Sequence, residues 1–263
     1  MHAGTPESGR LHDFDVEVAG ECGFTCVGYS RPGFPDSDRA PGRRVVDCAG
    51  DVSAIADALG IDSFFTVGRS GGGGHALACA ARLAGRVRAA VTVGSSAPRQ
   101  ADGLDWYAGM AVANQEEFGA AEAGGEAFRA YLEREAARWL SADPDDVPDL
   151  FGDRLSELAK RDMTQEDKRF SLETMRKALE AGIWGWLDDD IAGVDDWGFD
   201  LTEIEMPVAI WHAGNDRFIP PSHAEWLAGQ IPGASLHIEH SEEHMSLSKN
   251  AYGEMLDRLR AAG

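Results

Sequence analysis

Ser70, Asp216 and His244 are the side chains in this sequence whose types and order could carry out nucleophilic catalysis. Ser70 lies in Gly68-Arg69-Ser70-Gly71-Gly72, between the apolar run Phe64–Val67 and an alanine-rich stretch. A serine hydroxyl is a weak nucleophile until a base takes its proton, and that base is held by a third group. Asp216 follows the apolar run Met206–Gly214, and His244 follows the β-rich run that ends near His240. Each alone has a plain reading: Gly-x-Ser-x-Gly as a turn, Asp216 as a turn residue beside Gly214 and Asn215, His244 as a loop histidine. Three such residues at the ends of strand-like runs, in the chain order Ser, Asp, His, point to acyl transfer. His212 and His240 are less suitable bases, because they fall within or at the edge of strand runs. His75, one helical turn past the serine, reads as a residue that lines or supports the pocket.

The glycines admit two other chemistries, and both fail on residue type. A phosphate-binding P-loop needs Lys followed by Ser or Thr after its last glycine, whereas Gly74 precedes His75 and Ala76. A dinucleotide fingerprint needs Gly-x-Gly-x-x-Gly and an acid about twenty residues on. Here Ser70 replaces the second glycine, and the run Val87–Val93 carries no acid. A strained turn presenting a serine needs small residues two before and two after it, which Gly68 and Gly72 supply. The Gly71 N–H then opens the following helix, where it can hold an oxyanion. A second donor is expected from the loop His2–Pro6 ("HAGTP"), from the N–H of Thr5 or of Gly4.

These residues must be positioned by alternating strands and helices, the pattern of an α/β fold with a largely parallel sheet. Strands are predicted at Phe24–Ser30, Phe64–Val67, Val87–Ser96, Met206–Gly214 and in "SLHIEH". Helices are predicted before Gly60, after the glycines to about Leu83, near Ser222–Gln230, and from about Leu247 to Ala262. From about 102 to 205 the strand signals vanish and the chain turns helical, acidic and tryptophan-bearing. We therefore expect a core formed by 1–101 and 206–263, with 102–205 inserted as a helical cap. Trp106 and Trp186 are the cap aromatics expected to touch substrate, the others to join cap helices. The run Asp188–Asp190 and the pair Asp195-Asp196 read as solvated faces or helix caps, or alternatively as a site for an amine.

Bulk properties set limits. The chain has 263 residues, 43% of them hydrophobic, enough for one large core with an insertion. Forty-five acidic residues against 24 basic ones give a net charge of -21, which opposes nucleic-acid and anionic-membrane partners. With no apolar run of membrane-spanning length and no signal pattern, the expected location is cytoplasmic. Cys22, Cys26, Cys48 and Cys79 form no metal-type pair and read as thiols rather than disulfides. His237, His240 and His244 lack a recognised metal spacing. No metal and no cofactor are expected; the partner is a small-molecule substrate, and self-association stays open.

"HAGTP", "GYSRPGF", "GRSGGGGHALACAA", "WHAGNDRFIP" and "EEHMSL" together resemble the α/β-hydrolase superfamily over nearly the whole chain. Within it the chain is most similar to small-molecule esterases and to proline iminopeptidase-like hydrolases with a helical cap. The resemblance implies a triad of Ser70, Asp216 and His244, an oxyanion hole at Gly71 and Thr5, no cofactor, and an acyl-enzyme. Serine at position 70 disfavours the dehalogenase and epoxide hydrolase branches, which use aspartate there. Ester or lactone hydrolysis of a small apolar substrate is the leading expectation; aminopeptidase action and a non-catalytic ligand-binding role are the alternatives. Three departures stand out. Arg69 beside the nucleophile is unusual and is expected to face substrate or cap carboxylates. "HAGTPES" differs from the HGGPG-like loop of iminopeptidases. The family also places strands before the His2–Pro6 loop, one of them inside the sheet. Either the reading frame starts late, or the sheet is gapped or filled from elsewhere. A gap would leave unpaired backbone groups costing about 1–3 kcal/mol each, with reduced stability.

Overall fold

The computed structural model of the chain describes residues 1–262. In chain order the elements are α1 (Asp13–Glu21), α2 (Cys48–Leu59), β1 (Phe64–Arg69), α3 (Gly72–Arg82) and β2 (Val87–Val93). Six helices follow: α4 (Val112–Ala123), α5 (Gly125–Ser141), α6 (Val147–Phe151), α7 (Glu157–Asp162), α8 (Gln165–Ala178) and α9 (Trp184–Val194). The sheet resumes with β3 (Val208–Ala213), α10 (Ser222–Gln230), β4 (Ser235–Glu239) and α11 (His244–Ala262).

The four strands pair in parallel in the order β1-β2-β3-β4. Parallel neighbours need crossovers, and α3 and α10 supply two of them on one face. On that face Leu77, Ala90, Ile210 and Leu227 pack together. The opposite face takes the alternate residues, Val91 and Trp211, against Leu247, Tyr252 and Met255 of α11 and Ala19 of α1. Burial on both faces is why β2 reads as a nearly continuous apolar run. The six helices between β2 and β3 have an apolar core of their own, around Phe128, Leu132, Leu172 and Trp186. Among the described residues no helix is long and apolar enough to cross a membrane.

One sequence expectation is corrected. Phe24–Ser30 is not a strand: it runs as irregular chain, because no neighbouring strand offers it a ladder. Beyond β1 the pairing is an isolated parallel bridge between His2 and Gly68, with His2 N–H donating to Val67 O at 2.8 Å. Phe24 packs edge-on against Phe65 of β1, beside an apolar cavity of about 330 Å³ lined by residues of both Phe24–Val27 and β1. α1 is not among the helices predicted from sequence; its buried Ala19 joins the α11 face.

Candidate active site

Ser70 sits with Gly71 on the two-residue turn between β1 and α3, with φ of +48°. A non-glycine residue in the left-handed region is strained, by about 1–3 kcal/mol, and such strain gathers at functional sites. The turn is held because Ser70 N–H donates to Val93 O at 2.8 Å, while Ser70 O accepts from Gly73 N–H at 3.0 Å. It is also as tight as its glycines permit. A Cβ on Gly68 would lie 2.3 Å from Gly72 O, and one on Gly72 would lie 2.4 Å from His2 O. Both positions must therefore be glycine to let α3 start against β1 and the first residues of the chain.

Asp216 lies just past β3, its side chain fully buried. Its Oδ1 accepts from the N–H groups of Phe218 and Ile219, each at 2.9 Å, and its Oδ2 accepts from His244 Nδ1 at 2.6 Å. The carboxylate is thus oriented from both ends, and His244 keeps Nε2 free. The His244 ring stacks on Phe218, with centroids 4.5 Å apart, so the loop that fixes the aspartate also fixes the plane of the imidazole. His244 is the first residue of α11 rather than a loop residue before it. Ser70 and His244 line one cavity of about 220 Å³, which extends beneath the helices between β2 and β3.

Gly71 and Thr5 face each other at this cavity. Gly4 N–H donates to Glu7 Oε2 at 2.9 Å, whereas among the described residues the N–H groups of Thr5 and Gly71 have no protein acceptor. That selects Thr5 over Gly4 as the free donor. Sequence reading missed what holds it. Arg31, 2% exposed, donates through Nη1 to Ala3 O at 2.6 Å and through Nη2 to Gly4 O at 2.8 Å. The same guanidinium clamps Asp189 of α9, which also takes a bond from Arg43 at 2.6 Å and one from Thr5 Oγ1 at 2.8 Å. Burial alone would raise the Asp189 carboxyl, but Arg31 and Arg43 overcome it and hold the group well below the usual carboxylate range.

Two further expectations change. Arg69 does not face substrate or the inserted helices: successive strand residues point to opposite faces. It pairs with Asp15 of α1, and its guanidinium lies 4.8 Å from the Tyr252 ring centre. Asp188–Asp190 are buried, not solvated; Asp188 meets Arg39 at 2.8 Å, while Asp195 and Asp196 are exposed as expected. Trp106 and Trp186 both line the cavity. Trp106 is anchored through Nε1 to Ala97 O at 3.0 Å, and Trp186 through Nε1 to Glu117 Oε1 at 2.8 Å.

Four histidines support the site without belonging to its reacting atoms. His75 donates to Gly71 O at 3.1 Å and lines the cavity; burial and then Arg31 push it down to about 3. His2 stacks on it and is likewise lowered by burial. His212, 3.5 Å from Asp216, donates to Ile219 O at 2.8 Å and is lowered by burial. His223 accepts from Ala97 N–H at 3.1 Å and donates to Trp106 O at 2.9 Å, with burial lowering it to about 4. Among the described residues no group of three or more His, Cys, Asp or Glu is placed to hold a metal.

Residues 9–251 match the protein family described as alpha/beta hydrolase fold. No curated protein matches the chain by sequence. Among solved structures, an alpha/beta hydrolase fold protein from Nakamurella multipartita is similar at 22% identity and TM-score 0.67, covering 100% of this chain and 91% of that one. A bromoperoxidase from Bacillus anthracis is similar at 20% identity and TM-score 0.70, covering 98% and 89%. A thermophilic esterase from Thermogutta terrifontis is similar at 17% identity and TM-score 0.64, covering 98% and 86%. At these identities the likeness is one of fold.

Proposed function

This chain belongs to the α/β-hydrolase family, and on that premise we propose that it is a serine hydrolase cleaving an ester or lactone of a small, largely apolar substrate. The observation that carries the reading is the bond between Asp216 Oδ2 and His244 Nδ1 at 2.6 Å, in a cavity shared with a serine at positive φ. In the proposed reaction Ser70 Oγ attacks the substrate carbonyl carbon while His244 Nε2 takes the hydroxyl proton. Asp216 holds the ring in the tautomer that leaves Nε2 free and stabilises the imidazolium. The carbonyl oxygen gains negative charge and is held by the Gly71 and Thr5 N–H groups, at the start of α3. Collapse breaks the ester C–O bond, and His244 returns the proton to the departing alkoxide. Water then attacks the acyl-enzyme by the same route and frees Ser70. Ser70 Oγ makes no hydrogen bond to His244 here, and such catalytic contacts commonly tighten only with substrate in place.

The helices between β2 and β3 act, in this reading, as a cap whose aromatic side chains enclose the acyl or alcohol group. Trp106, Trp139, Trp186 and Phe151 line the cavity and support an apolar substrate. Exposure to a fluorophosphonate probe followed by intact-protein mass measurement tests the assignment. A single adduct on the parent, none on Ser70→Ala, and loss of about 10³-fold or more in ester turnover are expected. No adduct on folded protein would sink it.

A further inference from the structure

The second oxyanion donor is held from the inserted helices. Thr5 Oγ1 donates to Asp189 Oδ2 of α9 at 2.8 Å, across 184 positions of sequence, and accepts from Arg31 Nη2 at 3.1 Å. A hydroxyl has one proton, and here the carboxylate takes it, so Thr5 Oγ1 is an anchor and not a further oxyanion donor. The anchor matters because the fit is close. A Cβ on Gly71 would lie 2.6 Å from Thr5 Oγ1 and 3.4 Å from Thr5 N. Any movement of Thr5 therefore changes the spacing of two N–H groups that must share one oxygen.

Asp189 is itself fixed in advance. α9 lies against the chain between residues 31 and 43, where Phe34 comes so near Gly185 that a Cβ there would meet its ring at 2.6 Å. Arg39 pairs with Asp188 at 2.8 Å, and its guanidinium stands 4.2 Å from the Trp184 ring centre. Arg31 and Arg43 grip Asp189 directly. Helix and carboxylate thus keep their places without substrate, and donors preorganised in this way are what stabilises an oxyanion.

We propose that Asp189 is a positioning residue for acyl transfer: from α9 it places the Thr5 N–H, so that the inserted helices complete the oxyanion hole as well as enclosing the substrate. The role rests on the hydrolase reading. Loss of one oxyanion donor costs about 10²–10³-fold in turnover, and a displacement of about 1 Å costs about 10²-fold. A Thr5 released from Asp189 therefore lowers kcat and leaves KM nearly unchanged, because the hole binds the transition state and not the ground-state carbonyl.

The rate of fluorophosphonate labelling at Ser70, followed by intact mass, tests this without knowledge of the natural substrate. It is measured beside kcat and KM for p-nitrophenyl butyrate and beside the melting temperature. Asp189→Asn is expected to be labelled about 10- to 100-fold more slowly than the parent, with a similar loss in kcat and KM within about twofold. Should that variant not fold, Thr5→Val breaks the same contact from the other end without stranding the buried arginines, and carries the same expectation. Thr5→Ser, which keeps the hydroxyl, is expected to recover most of what Thr5→Val loses. A contact that serves the fold alone lowers the melting temperature and leaves the folded protein labelled at the parent rate. That result in Thr5→Val overturns the proposal, and so does a Thr5→Ser labelled no faster than Thr5→Val. A folded parent that takes no label removes the hydrolase reading, and the positioning role falls with it; a labelled parent with unaffected variants removes the role alone.

Discussion

The backbone at Ser70 trades stability for presentation of its hydroxyl. With φ of +48°, the residue sits where glycine is at ease and a Cβ is not. Ser70→Gly is therefore expected to be more stable than Ser70→Ala by about 1 kcal/mol, since both lose the hydroxyl but only alanine keeps the Cβ. Urea unfolding of the two variants measures this, and equal midpoints would mean that the turn is not strained. Asp216 shows the opposite economy: its accepted bonds come from two backbone N–H groups and one ring nitrogen, none of which water must supply. Its place after β3 was legible in the sequence because the signal is local, an acid directly after an apolar run. His212 beside it was weighed only as a less suitable base, since a histidine inside a strand run carries no mark of the loop carbonyl it will bond.

At the scale of elements, α9 acts on the site through a contact that spans most of the chain. Asp189 ties Arg31, Arg43 and Thr5 together, and Arg31 in turn holds the carbonyls of Ala3 and Gly4 away from the cavity. Arg31→Met would leave Asp189 with half of its compensation and strip two carbonyls of donors, costing about 3–5 kcal/mol. Arg31→Met with Asp189→Leu is expected to be less stable than the single change, because the buried Arg43 then loses the carboxylate it pairs with. Thermal or urea unfolding of the two variants decides it; a double variant as stable as the single one would mean that the Arg43–Asp189 contact is not an ion pair in energetic terms. The three consecutive aspartates looked solvated because three adjacent helix positions cannot share a face. They are buried because α9 is enclosed on several sides, by arginines approaching from the chain's first fifty residues.

The whole molecule couples its site to pH through neutral histidines. His223 accepts a bond from the Ala97 N–H, so a proton on that nitrogen would set donor against donor. Its folded pKa of about 4 lies below the ordinary 6.5, as does that of His75 at about 3. Below 6.5 the unfolded chain takes up protons that the folded chain refuses. Stability is then complete above about pH 6.5 and falls as pH drops toward 4, by up to about 1.4 kcal/mol per unit for each such histidine. Asp189, depressed by its arginines, adds loss in the same direction at still lower pH. Unfolding free energies at pH 7 and at about pH 5.5, above the pI of 4.6 where aggregation would interfere, should differ less in His223→Gln than in the parent. An unchanged slope would show that His223 is protonated in the folded state.

Sequence alone determined the α/β alternation, the helical block between two sheet-forming halves, and the positions of Ser70, Asp216 and His244. Each of those follows from short-range pattern: apolar runs, glycine punctuation, and a reactive residue at a run's end. Tertiary structure decided everything that depends on a distant partner. Phe24–Ser30 has strand composition but no strand beside it, so the ladder does not form. Arg69 turns to Asp15 because strand alternation sends it to the face opposite Ser70. The Arg31–Asp189 clamp joins residues 158 apart. Local preference can announce a turn or a helix end, but which charge meets which is fixed only when the packed core brings their elements together.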